Sequence, residues 1–293
     1  MYKRILVAID GGFYAESAAS YAIDLASHCG SKLYICFIKT TSTTQQQEEA
    51  AVRSIENIKL NALERNLEVS AIIERSIPYT KETKSNLASA IKHIVAAESI
   101  DLVMTSTRRP TWEKRFFTRS LAQELMATLP CTVIAIRMAQ MGVHAHLKKI
   151  LMPIVGGDFF STQRAHLASC FASAYSSKIV VLYVEQLSSR ELLMLTGKSK
   201  QSLINTGVAR IEVFKNALST FGILASTKVL VGKSAKKEIL EEATKHYDLL
   251  IIGATRAALI NRIVLGNPVE EILRKASCNV VVWHPRTIPE EKI

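Results

Sequence analysis

The chain has 293 residues, enough for two ordinary domains that each bury a core. Hydrophobic residues make up 48% of it, which excludes a disordered chain, and the formal net charge is +11. No RNP, zinc-finger or aromatic-interleaved basic motif accompanies that charge, and Lys and Arg are spread along the chain, so it reads as a basic soluble surface with no nucleic-acid partner.

The predicted elements alternate strand and helix. Arg4–Ile9 is a near-continuous apolar strand. Its apolar stretch is short and no small-residue cleavage site follows, so it reads as a strand and not a leader. A helix is expected over Tyr14–Ser27, with Ala18, Tyr21, Ala22 and Leu25 at helical spacing. Lys32–Ile38 forms the second strand, and a long amphipathic helix then runs through Ile55, Ile58 and Leu63. Glu68–Glu74 is the third strand, and Leu87, Ile91, Ile94 and Val95 mark the next helix. Asp101–Thr105, a short helix Leu121–Thr128 and a fifth strand Thr132–Arg137 complete the first half.

The second half repeats the first. KRILVAIDGGFY at 3–14 matches KKILMPIVGGDFF at 148–160, and SKLYICFIK at 31–39 matches SKIVVLYVE at 177–185. Asp101 of DLVMT matches Asp248 of DLLII, and Cys131 of CTVIAI matches Cys278 of CNVVVW. The offset drifts slowly from one pair to the next, as expected of a duplicated domain with small insertions. The second copy has a longer segment after its second strand, Gln186 to Gly207, and MAQMGVHAH at 138–146 connects the halves. The expected domains are 1–142 and 143–293. Both are α/β, and each is expected to be a doubly wound parallel five-stranded sheet of Rossmann-like type. Apolar runs fall far below the ~18 residues that span a bilayer, so no membrane insertion is expected. The five cysteines show no CxxC spacing and read as reduced core residues of a cytoplasmic protein.

Open sheets of this kind bind ligands at the carboxyl ends of strands, where strand order reverses. That directs attention to the loops after Ile9 and Ile154, and after Thr105 and Ile252. In the second copy Gly253 follows the fourth strand, and Gly266-Asn267 opens a helix. Glycine permits close backbone approach, and a helix opening suits a phosphate. The same residues also fit an ordinary turn and helix entry, with Pro268 in the first turn. No histidine pair has metal-ligand spacing, and no GxSxG, Walker lysine loop or paired carboxylate motif occurs.

On the repeat, the strand-loop-helix layout and the closing CNVVVW strand, the sequence resembles the universal stress protein family, as two tandem copies covering nearly the whole chain. The resemblance implies an Asp at the end of strand one for adenine, and G-x2-G-x9-G-[ST] after strand four for ribose and phosphates. The first copy has the Asp, Asp10, but Ser106, Arg109 and Arg119 stand at the glycine positions, followed by Ser120. The second copy keeps Gly253, Gly266 and a polar Asn267, with Arg256 in place of the middle glycine and Val155 in place of the Asp. Main chain at Pro153, Ile154 and Val184 could still hold a base. Arg256 either occludes the pocket or pairs with a phosphate, and Arg109 and Arg256 also fit solvated loop charge.

The resemblance therefore implies ATP or another adenine nucleotide in the second copy, serving stress response or signalling. The alternative is an interaction scaffold with degenerate pockets and an unidentified protein partner. ATP hydrolysis ranks last, because no general base or metal-ligand set is evident. The resemblance also implies that the final strands, Thr132–Arg137 and Asn279–Trp283, meet across a pseudo-twofold axis as an internal pseudo-dimer, with a homodimer left open.

Overall fold

The structure is a computed structural model that describes residues 2–75, 86–107, 120–139, 147–154, 161–254 and 268–285. Two compact units result, one built mainly on Met1–Met138 and the other on Ala139–Gly253.

In the first unit the strands are β1 (Arg4–Ile9), β2 (Lys32–Lys39), β3 (Val69–Arg75), β4 (Leu102–Ser106) and β5 (Thr132–Arg137). The helices are α1 (Phe13–Cys29), α2 (Gln45–Glu64), α3 (Asn86–Ala97) and α4 (Leu121–Thr128). Strand order is β3-β2-β1-β4-β5, and the pairings are parallel. β1 carries the switch point, since β2 lies on one side of it and β4 on the other. The doubly wound parallel sheet expected from the sequence is therefore present.

The second unit repeats this plan. Its strands are β6 (Lys149–Ile154), β7 (Lys178–Gln186), β8 (Ala225–Gly232), β9 (Leu249–Gly253) and β10 (Asn279–His284), in the order β10-β9-β6-β7-β8. Its helices are α5 (Ser161–Tyr175), α6 (Ser189–Leu193), α7 (Gly197–Ser219), α8 (Ala235–Ala243) and α9 (Pro268–Lys275). Every residue of β5 and of β10 is buried. All five cysteines are buried and none forms a disulfide.

The repetition extends to individual hydrogen bonds. Asp101 Oδ2 accepts from the amides of Lys3 and Arg4 at 2.9 and 3.1 Å. Asp248 Oδ2 accepts from Lys148 and Lys149 at 2.9 and 2.8 Å. The Ser31 hydroxyl donates to the Tyr2 carbonyl, and the Ser177 hydroxyl donates to that of Leu147.

The long helices obey one pattern. α2 buries Ala51, Ile55, Ile58 and Ala62, and α7 buries Gly207, Ile211, Phe214 and Leu218 at the same spacing. Leu63, expected on the buried face, is instead 58% exposed. Ala62 holds the core position, one residue back along the turn. The leading member of each stripe is small because the helix lies close to its neighbours there. A Cβ on Gly207 would sit 2.6 Å from Val229 Cγ1 and 3.1 Å from Tyr183 Cδ1.

A buried carboxylate ties α8 to the second sheet. Glu242, 1% exposed, accepts from Lys228 Nζ at 2.8 Å, Lys245 Nζ at 3.0 Å and Tyr247 Oη at 3.0 Å. Burial works to raise its pKa, but the hydrogen bonds from the two lysines and the tyrosine outweigh it, and the carboxyl lies below its ordinary value. Glu271 on α9 is held by Lys236 and Lys275, whose hydrogen bonds lower it to about 2.

Two outcomes follow from this packing. Gly207→Leu would force a branched side chain against the stiff Val229, and overpacking of that kind costs about 1–3 kcal/mol. Chemical denaturation should show the loss. Glu242 and Glu271 both have depressed folded-state pKa values, so the stability they add is present above the ordinary carboxyl value of 4.5. It should drain away as pH falls below that value, toward about 2 for Glu271. In urea titrations at stepped pH, Glu271→Gln should flatten this acid slope, and an unchanged slope would remove Glu271 from the account.

Candidate functional site

The carboxyl edge of the first sheet is shaped by a tight turn after β1. Asp10 is exposed just past the strand, and its Oδ1 accepts from the Gly12 amide at 2.9 Å. Gly11 between them has φ +74°, and a Cβ there would lie 2.6 Å from the Ala51 amide nitrogen on α2. Only glycine fits both the left-handed backbone and that approach. The β2 side of this edge is also covered, because Lys39 pairs with Glu48 in the first turn of α2.

Ser120 sits where the sequence places it, at the N-cap of α4, but its hydroxyl is engaged. It accepts from the Gln123 amide at 3.3 Å, while Gln123 Oε1 accepts from the Ser120 amide at 3.2 Å. This capping box satisfies locally two of the amides that open α4. Gln123 was not singled out in the sequence, although the Ser-x-x-Gln spacing carried the signal.

The second unit differs at the same edge. Pro153 and Ile154 end β6 and are buried, and Val184 is buried in β7. The β6–β7 ladder runs through Ile154↔Tyr183. The β6–β9 ladder stops at Leu151↔Leu250, whereas its counterpart in the first unit continues to Val7↔Met104. Pro153 has no N–H to give to a ladder, and it replaces Ala8 of the first copy. That ladder therefore ends one pair earlier in the second copy, at the switch point. Gly253 is exposed at the end of β9. Beyond it the Ala254 amide donates to the Trp283 carbonyl at 2.8 Å, and the Ala254 carbonyl lies 2.8 Å from His284 Nδ1.

Arg109, Val155, Arg256, Gly266 and Asn267 lie outside the described residues. Of the sequence-predicted site, Asp10 and Ser120 are placed in the first unit, and Pro153, Ile154, Val184 and Gly253 at the switch point of the second. The described first turn of α9 carries Glu270 and Glu271. No group of metal-ligating side chains occurs among the described residues. Burial pushes the Cys36 thiol up to about 12, far from nucleophilic use.

A duplicated, doubly wound α/β protein is the class that the fold defines. The chain belongs to the universal stress protein family, whose sequence model matches residues 1–137 and 147–284. It is 22% identical over 295 residues to a universal stress protein of Synechocystis sp., covering 96% of this chain and 99% of that one. It is 27% identical over 138 residues to a universal stress protein of Methanocaldococcus jannaschii, which is 46% of this chain and 81% of that one. The crystal structure of a universal stress protein from Archaeoglobus fulgidus matches 98% of this chain and 97% of its own, with a TM-score of 0.64 at 13% identity. That likeness is one of fold. Among the described residues no helix is long and apolar enough to cross a membrane.

The Ser120 hydroxyl is committed to its helix, so Ser120→Ala should cost about 1 kcal/mol of stability through the lost cap. It should leave nucleotide affinity unchanged in calorimetry. A weaker affinity without a drop in melting temperature would assign Ser120 to a ligand instead.

Proposed function

We propose that this universal stress protein binds an adenine nucleotide, with ATP as the reference ligand, at the carboxyl edge of its second copy, in stress response or signalling. The observation that carries the proposal is the early end of the β6–β9 ladder at Pro153, beside an exposed Gly253. Pro153 leaves a ladder hydrogen bond unmade beside the strand ends of the switch point, the place where open sheets bind ligands. In the first copy α2 lies against Gly11, and the Ser120–Gln123 box takes up amides that open α4.

The base would rest against main chain at Pro153, Ile154 and Val184, since Val155 offers no carboxylate. Gly253 would allow close approach of the sugar and phosphates. Arg256, with no acidic residue in the loop from Ala257 to Leu265, would meet the phosphates as a cation. Domain limits at 1–142 and 143–293 would place this whole site in one domain.

A specific observation favours a second reading, an interaction scaffold without nucleotide. α9 brings Glu270 and Glu271 to its first turn, where carboxylates complement the helix dipole and compete with a phosphate. Glu271 is neutralised by two lysines, which leaves Glu270 as the main opposing charge.

The test is direct. The purified protein is checked for retained nucleotide by absorbance near 260 nm and mass spectrometry, then titrated with ATP by calorimetry. Gly253→Val should weaken binding at least tenfold, about 1.4 kcal/mol. Arg256→Ala should weaken it by roughly 1–3 kcal/mol, the scale of a charged hydrogen bond. Asp10→Ala should change little. If Asp10→Ala alone weakens binding, the first copy is the site. If the native protein binds no nucleotide, the scaffold reading stands.

A further inference from the structure

The two copies differ at the opposite, amino edge of their sheets. In the second unit that edge is filled. Tyr247, one residue before Asp248, lays its ring 4.4 Å from Lys149 Nζ and donates its hydroxyl to Glu242. Glu242, six residues before Asp248, gathers Lys228 and Lys245 around it. In the first unit the residues one and six before Asp101 are Ile100 and Val95. Neither has a ring or a charge to fill the space.

The result is a groove of about 820 Å³ whose lining includes Val95, Ile100, Pro130 and Cys131, all within one unit. This lies in the size range of small-molecule sites, which combine an apolar lining with a few polar groups. The rim is cationic in balance. Lys3, Arg4 and Lys32 border it, against Glu68 and Asp101. Glu68 is already paired with Lys32 at 2.5 Å, and Asp101 Oδ2 already takes two amides. Arg4 Nη1 donates to the Glu98 carbonyl at 3.2 Å, a neutral partner that leaves the guanidinium charge in place. The buried Tyr34 ring, 5.2 Å from Lys32 Nζ, adds an aromatic wall.

We infer that this groove at the amino edge of the first sheet is a second ligand site, selective for a small organic anion with an apolar body. The apolar part meets the exposed Ala96 and Pro130 over a floor of Val95 and Ile100, and the anionic group meets Lys3 and Arg4. The site shares no residue with the carboxyl-edge crevice and stands whether or not that crevice holds nucleotide.

The probe is 8-anilinonaphthalene-1-sulfonate, an aromatic sulfonate, followed by its fluorescence on the full chain. The native protein should bind it saturably at one site, more weakly as salt rises. Ile100→Tyr, which copies the arrangement at Tyr247, should lower affinity at least tenfold. Ala96→Trp, at an exposed lining position outside the core, should do the same if Ile100→Tyr does not fold. Lys3→Glu should weaken binding several-fold and reduce the salt dependence, and excess ATP should not displace the probe. Unchanged affinity in folded Ile100→Tyr or Ala96→Trp protein overturns the site, as does displacement by ATP or the absence of saturable binding to the native chain.

Discussion

One carboxylate in each copy fixes how the central strands meet. Asp101 and Asp248 stand just before β4 and β9, and each reaches across to two successive amides at the start of the neighbouring strand. The same residues bond through their own backbones. The Asp101 and Asp248 amides donate to Arg4 and Lys149, and their carbonyls accept from Thr132 and Asn279. Sliding β4 by one residue would carry the carboxylate about 3.3 Å along the sheet and turn every side chain of the strand to the other face. The aspartate thus selects one register at an edge where apolar residues alone would select less sharply. With that register set, the carboxyl ends of β1 and β4, and of β6 and β9, fall beside each other. The candidate crevice exists because of what is fixed at the other end of the strands.

The fold was legible in the sequence because duplication and periodicity are both local signals read over long stretches. Strand and helix order followed from them, with ends shifted by a residue or two. Leu63 shows where such reading fails. Leu63 and Ala62 are adjacent on the helix, and apolar character alone favoured the larger side chain. The sheet behind α2 selected Ala62, four residues beyond Ile58. The site was less legible for a similar reason. Asp10 and Ser120 were placed by the family pattern that the sequence resembles, but what they bond to depends on neighbours. Asp10 turns back onto Gly12, and Ser120 onto Gln123. The shortened ladder at Pro153 could have been inferred from proline in a central strand, since the missing N–H is a property of the residue itself.

The copies agree where the chain is paired and packed and differ where strands end. Ala51 and Gly207 begin matching helical stripes, and Asp101 and Asp248 make matching clamps. The differences sit at Ala8 against Pro153, Val95 against Glu242, and Ile100 against Tyr247. Each of these residues has only part of its surroundings determined by the ladder, so a change there alters a surface without moving the sheet.

At the carboxyl edge, Pro153 shortens a ladder in the second copy, and in the first copy α2 packs on Gly11 and a capping box opens α4. At the amino edge, Tyr247 and Glu242 fill the second copy, while Ile100 and Val95 leave the first one open. A buried carboxylate such as Glu242 is tolerated only with its full set of donors, so Lys228, Lys245 and Tyr247 form one group and cannot be replaced singly at small cost. The apolar pair Val95 and Ile100 carries no such demand. The first copy can therefore keep a hollow at its amino edge without leaving a polar group unsatisfied.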